Sequence, residues 1–161
     1  TILDMLEILD HLNIKKASIG GFSLGGYMSL AFYRQYPNRV SSLLIIDTGP
    51  GFKNDEAREG WNNYAIKSAE KYESRNRQGI GNAARGMLIQ KDDRIIKSLP
   101  DILVPTLIIV GEEDKPFLSA ADYMNSKIKN SEKNIIPNAG HAVNIEQPEL
   151  FNSAVLDFLK I

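Results

Sequence analysis

Apolar residues recur along this chain with two different periods, and the two alternate. Ile2, Met5, Leu6, Leu9 and Leu12 return at helical spacing, which predicts an amphipathic helix over residues 1–12 that stops at Asn13. Residues 17–21 are short, apolar and glycine-ended, as a buried strand is. A second helix is predicted over residues 24–36, with Leu24, Tyr27, Met28, Ala31 and Phe32 on one face and Pro37 ending it. Residues 42–47 and 106–110 read as two more buried strands, and residues 134–136 as a short fourth. Helical spacing returns over residues 119–129. Pro148 then opens a last helix at its favoured first position, with Leu150, Phe151, Ala154, Val155, Phe158 and Leu159 as the buried stripe. Strands that are apolar throughout and alternate with helices predict a mostly parallel sheet covered on both faces, a three-layer α/β/α arrangement.

One segment interrupts the alternation. Residues 51–98 hold a disproportionate share of the charges, the only tryptophan, Trp61, and, closely spaced, Gly79, Gly81 and Gly86. Trp61, Tyr64, Ala65, Ala69 and Tyr72 share one face at helical spacing. The segment reads as a helical insertion between two strands, placed over the edge of the sheet; a plain crossover helix with a long loop is the alternative. The chain therefore divides into core residues 1–50, an insertion over 51–98 and core residues 99–161, within one domain. The aromatic stripe of the insertion fits packing better than recognition of a substrate, although Trp61 and the tyrosines could also line a pocket.

Charge and composition narrow the partners. Nineteen basic residues against twenty acidic ones give a net charge of −1, so neither nucleic acid nor an anionic membrane is attracted over any distance. The longest apolar runs, residues 43–46 and 107–110, fall far short of the roughly 20 residues that a membrane span needs. With no cysteine, disulfides, thiolate metal sites and a cysteine nucleophile are excluded. The absence of cysteine and of a signal-like opening segment leads us to expect a cytoplasmic protein. No metal-ligand cluster, phosphate-cradling loop or dinucleotide fingerprint is present, and no cofactor is expected; the glycines at 20, 21, 25 and 26 lack the Lys-Ser/Thr pair of a phosphate loop.

The chemistry concentrates in three places. Gly21-Phe22-Ser23-Leu24-Gly25 fits G-x-S-x-G, a pattern that chance would place somewhere in such a chain about one time in twenty at average glycine usage. Its position between a predicted strand and a predicted helix is what a nucleophile elbow requires. There, glycines on either side of the serine let helix and strand approach, and the N–H of Leu24 at the helix start can stabilise developing negative charge. The competing reading makes Ser23 a helix N-cap. A serine hydroxyl needs a base, and the chain has two histidines. His11 lies on the polar side of the first helix, whereas His141 sits in a loop between a predicted strand and the last helix. The base in turn needs a carboxylate to accept its other ring N–H. Asp114, just beyond the strand at 106–110, is placed where a loop can turn over the sheet; Glu112 and Glu113 are expected to be solvated, and Asp114 could instead cap the turn at Pro116. Ser23, Asp114 and His141 each follow their own predicted strand, in that order, and this joint occurrence outweighs any one of the motifs.

With these residues identified, the sequence resembles the α/β-hydrolase superfamily, close to its bacterial lactonase, esterase and non-haem haloperoxidase-like branch. The matching stretches are GGFSLGG at 20–26, SLLIID at 42–47, VPTLIIVGEED at 104–114 and NAGHAVNIEQP at 138–148. The resemblance implies Ser23 as nucleophile, His141 as base, Asp114 as its orienting acid and a short helical cap in residues 51–98. Serine at the position where the superfamily's dehalogenases and epoxide hydrolases carry aspartate implies acyl transfer, with a small carboxylic ester or lactone as substrate. The family fold has four further strands ahead of the elbow strand and a loop supplying a second oxyanion-hole N–H. At about 30 residues per βαβ unit, on the order of 80–100 residues would complete it. Residues 17–21 are then expected to form an open edge for those strands, a partner chain or a second copy. A non-catalytic ligand-binding protein on the same scaffold and an inactive fragment of a hydrolase are the alternative readings.

Overall fold

A computed structural model describes residues 1–160. It contains four strands, β1 (Ala17–Phe22), β2 (Val40–Ile46), β3 (Thr106–Gly111) and β4 (Ser131–Ile136), paired in that order and all parallel. Its helices are α1 (Ile2–His11), α2 (Leu24–Gln35), α3 (Asp55–Glu73), α4 (Gln78–Ala83), α5 (Arg94–Lys97), α6 (Lys115–Lys127), α7 (Val143–Glu146) and α8 (Pro148–Leu159). Two compact units result: one joins Thr1–Pro50 to the chain from Ser98 onward, and the other is Gly51–Lys97.

The first unit is an α/β sheet flanked by helices. Every residue of β3 is buried, as is all of β2 except Ser41, because parallel strands in the middle of such a sheet have both faces covered. Leu44, Ile46, Leu107, Ile109 and Ile136 form one core face, against which Phe151, Ala154, Val155 and Phe158 of α8 pack. The alternate residues Leu43, Ile45, Ile108 and Val110 are equally buried, and the crossover helices α2 and α6 pack on the strands they connect. Tyr33 joins α2 to the segment before β3 by accepting the Leu103 N–H at 3.0 Å.

The strands differ from the sequence expectation at the sheet's margins. β1 lies at the sheet's edge, the place expected for residues 17–21, and its alternate residues are exposed. β4, the other edge, begins three residues earlier than expected; its polar residues Ser131, Glu132 and Lys133 hide the strand from a pattern built on apolar runs. α6 begins at Lys115, with Pro116 in its first turn, four residues before the apolar spacing becomes helical. Leu12 lies beyond α1 and Leu150 faces solvent on α8, so neither joins the stripe assigned to it.

The second unit is a helical hairpin. Asn54 caps α3 by accepting the Ala57 N–H at 2.9 Å. After a turn in which Asn76 adopts φ 57°, α4 and a π-helical turn, Ala84–Leu88, run back along α3. Ala65 and Ala69 are fully buried and Gly81 approaches Glu73 closely; Glu73 accepts two 3.0 Å hydrogen bonds from Arg85. Trp61 donates its indole N–H to the Leu88 carbonyl at 2.7 Å, and Asn62 exchanges hydrogen bonds with the Gln90 backbone. Trp61 therefore serves packing within the hairpin, and Tyr64 departs from the expected buried stripe by being 61% exposed.

Candidate active site

The parallel register brings the carboxyl ends of the strands together. Phe22 pairs with Ile46, Ile46 with Ile109, and Gly111 with Ile136, so the loops after the four strands open at the same end of the sheet. Ser23 follows β1 directly, Asp114 lies three residues past β3, and His141 lies five past β4.

Ser23 adopts φ 53° and ψ −118°, a conformation that ordinary residues avoid, as the chain reverses from strand into helix. Two contacts force the tightness of this turn. A Cβ on Gly21 would lie 2.2 Å from the Gly25 carbonyl carbon, and one on Gly26 would lie 2.5 Å from Thr48 Cγ2. Gly25, by contrast, has nothing within 4 Å of such an atom. The glycines that close approach requires are thus 21 and 26, not the pair flanking the serine in the motif. Gly21→Ala should destabilise the protein by about 1–3 kcal/mol through backbone overpacking. Gly25→Ala should be neutral or stabilise by up to about 1 kcal/mol, since alanine is the better helix former. Denaturant midpoints of the two variants check both.

The structure brings the three residues singled out in the sequence into one chain of contacts. His141 Nδ1 lies 2.8 Å from Asp114 Oδ2, and His141 Nε2 lies 3.0 Å from Ser23 Oγ. A carboxylate can only accept, which assigns the ring proton to Nδ1 and leaves Nε2 free to accept from the serine hydroxyl. Neither competing capping role is realised, because the side chains of Ser23 and Asp114 make no cap hydrogen bond at the starts of α2 and α6. Asp114 is only 5% exposed at its side chain, whereas His141 is 44% exposed, so the pair runs from the interior to the surface. Leu24 is the first residue of α2, where N–H groups have no intrahelical acceptor. His11 is exposed on α1 and takes no part.

Several contributors were not legible in the sequence. Phe22 and Phe117 flank the imidazole at centroid distances of 5.1 and 5.2 Å, the latter stacked, and restrict its tilt. Both sit beside recognisable residues, one before Ser23 and three after Asp114, and that adjacency is their only sequence signal. Glu146 grips the histidine loop from outside, accepting the Gly140 and Ala142 N–H groups at 2.8 and 3.0 Å. These two hydrogen bonds hold its carboxyl below the usual glutamate range. Glu112, expected to be merely solvated, accepts the Asn138 N–H at 3.2 Å and ties down the start of the same loop. Gly111 makes room for that loop, since a Cβ there would lie 2.2 Å from the Gly140 carbonyl oxygen.

Asp47, immediately after β2, is fully buried and adopts φ 45°. Its carboxylate accepts the Gly111 N–H at 2.9 Å and the Val143 N–H at 3.3 Å. Burial pushes its pKa from 3.8 up to about 6, opposed by those two hydrogen bonds, with the Asp114 charge adding to the rise and His141 to the opposition. A raised carboxyl pKa means that the folded protein holds this proton more tightly than the unfolded chain. Its contribution to stability is full below about 3.8 and is lost as pH rises through about 6.

Comparison with known proteins agrees with this architecture. The family described as alpha/beta hydrolase fold matches over residues 2–92. A Bacillus subtilis protein provisionally named 2-succinyl-6-hydroxy-2,4-cyclohexadiene-1-carboxylate synthase is 30% identical over 98% of this chain and 71% of its own length. Their alignment runs to 194 positions against 161 residues here, so the relative carries residues inside the matched stretch that this chain does not. The 3-oxoadipate enol-lactonase 1 of Acinetobacter baylyi is 28% identical over 98% of this chain and 69% of its own. Among solved structures, MenH from S. aureus superposes with a TM-score of 0.79 at 24% identity, over 99% of this chain and 73% of that one.

Proposed function

Because the chain belongs to the α/β-hydrolase family, we propose that it is a serine hydrolase that cleaves a small carboxylic ester or lactone through an acyl-enzyme. The observation that carries this reading is the continuous contact from Ser23 Oγ through the His141 ring to buried Asp114. The resemblance to an enol-lactonase supports the choice of substrate class.

In this reading His141 Nε2 takes the hydroxyl proton as Ser23 Oγ attacks the substrate carbonyl, and Asp114 stabilises the imidazolium that forms. The Leu24 N–H, at the positive end of α2, donates to the oxygen that becomes negatively charged. Collapse of the tetrahedral intermediate breaks the ester bond, and the His141 proton passes to the departing alkoxide. Water then attacks the acyl-serine, giving its proton to His141, and the acid is released with Ser23 restored.

The test is reaction of the protein with a fluorophosphonate, followed by hydrolysis of a panel of short-chain esters and lactones. One adduct per chain, mapped to Ser23, together with release of acid from one of the panel supports the proposal. No adduct and no turnover overturn it. The resemblance to a protein named as a synthase favours a second reading, in which the same serine and histidine move a proton without forming an acyl-enzyme. That enzyme would accept the fluorophosphonate yet release no acid from any ester.

A further inference from the structure

All three segments that carry the proposed catalytic groups converge on the last residue of β2, Ile46, and on the residue after it, Asp47. The Ile46 carbonyl accepts the N–H of Ser23 itself at 2.8 Å. The Asp47 N–H donates to the Ile109 carbonyl at 2.9 Å, and one carboxylate oxygen accepts from Gly111, three residues before Asp114. The other accepts from Val143, two residues after His141. We propose that Asp47 is a positioning residue for catalysis, whose ionised carboxylate holds the loops of Asp114 and His141 at a common point, so that full activity requires its deprotonation.

The chemistry of the side chain argues for this role. Two backbone donors, one at the end of β3 and one at the start of α7, meet one buried group, and only a carboxylate offers both an acceptor. Asparagine would keep one acceptor but present its NH₂ to the other N–H, leaving a buried donor unpaired. A fully buried carboxylate in a left-handed conformation is costly to keep. An apolar residue would fill the space at lower cost, but it would hold neither loop. Among the described residues, the titratable groups acting on Asp47 are Asp114 from the loop after β3 and His141 from the loop after β4. Glu146 clamps the histidine loop on its exposed side and stays ionised to lower pH, so Asp47 is the clamp that fails first on acidification.

The inference rests on the hydrolase reading and is tested by the pH dependence of kcat/KM, or of the fluorophosphonate labelling rate, in the full protein. Loss of the neutral base accounts for one proton on the acid limb. Protonation of Asp47 adds a second, so the logarithmic slope of the wild type should approach about two below pH 6. In Asp47→Asn the slope should fall to about one, and kcat should drop roughly 10- to 100-fold through misplacement of the base. KM should change little. A single-proton limb in the wild type overturns the proposal without recourse to any variant, and so does a folded Asp47→Asn protein with the wild-type limb and rate. Failure of the hydrolase reading is a different result, in which the wild type neither turns over ester nor labels at any pH, and the positioning role falls with it.

Discussion

Replacing Ser23 by alanine should lower kcat for ester hydrolysis by about 10⁶-fold, because the nucleophile and the proton relay fail together. Alanine removes the oxygen that His141 Nε2 contacts at 3.0 Å and leaves the imidazole with nothing to activate. The turn itself should survive, since no side-chain hydrogen bond from Ser23 caps α2. Thermal unfolding should therefore move by no more than a few degrees. Steady-state kinetics on the ester that the wild type prefers, with the melting curve beside it, checks both halves. A residual rate within tenfold of the wild type would show that another group attacks the substrate.

Asp114→Asn should cost about 10⁴-fold in kcat while leaving KM close to its original value. The substitution keeps the volume and the buried position beside His141 Nδ1. It changes the hydrogen-bond preference, because an amide nitrogen facing Nδ1 makes the ring accept there and carry its proton on Nε2. The proton then points at Ser23 Oγ, and the base cannot receive another. Even with the amide oxygen turned toward Nδ1, the imidazolium formed during attack loses its countercharge. The loss should appear in acylation, so the fluorophosphonate labelling rate should fall in parallel with turnover. An Asp114→Asn enzyme of near-native rate would mean that the contact with His141 is structural only.

Much of this site is legible in the chain before any fold is known. Ser23, Asp114 and His141 each follow a segment that forms a strand, and parallel strands deliver the loops at their carboxyl ends to one side of the sheet. Residues 51–98 stand out because charges concentrate there and interrupt the alternation of strands and helices, which reads as an insertion or as a crossover helix with a long loop; in the structure Gly51–Lys97 is a compact unit. The strand limits are less legible. β4 opens on polar residues that an edge position tolerates, and these hide its first three residues from a pattern built on apolar runs.

Local pattern marked where strands and helices lie along the chain and singled out Ser23, Asp114 and His141 as candidates for the chemistry, because periodicity and turn composition act over a few neighbouring residues. Tertiary structure alone decided which glycines are sterically required, since a Cβ on Gly26 would meet Thr48, just past β2, and one on Gly25 would meet nothing. It also decided that Asp47, in sequence an ordinary carboxylate at a strand end, lies buried between the end of β3 and the start of α7, beside the segments that carry Asp114 and His141. Such roles depend on atoms 64 and 96 residues apart along the chain, and no local pattern carries information about contacts at that separation until the sheet has assembled.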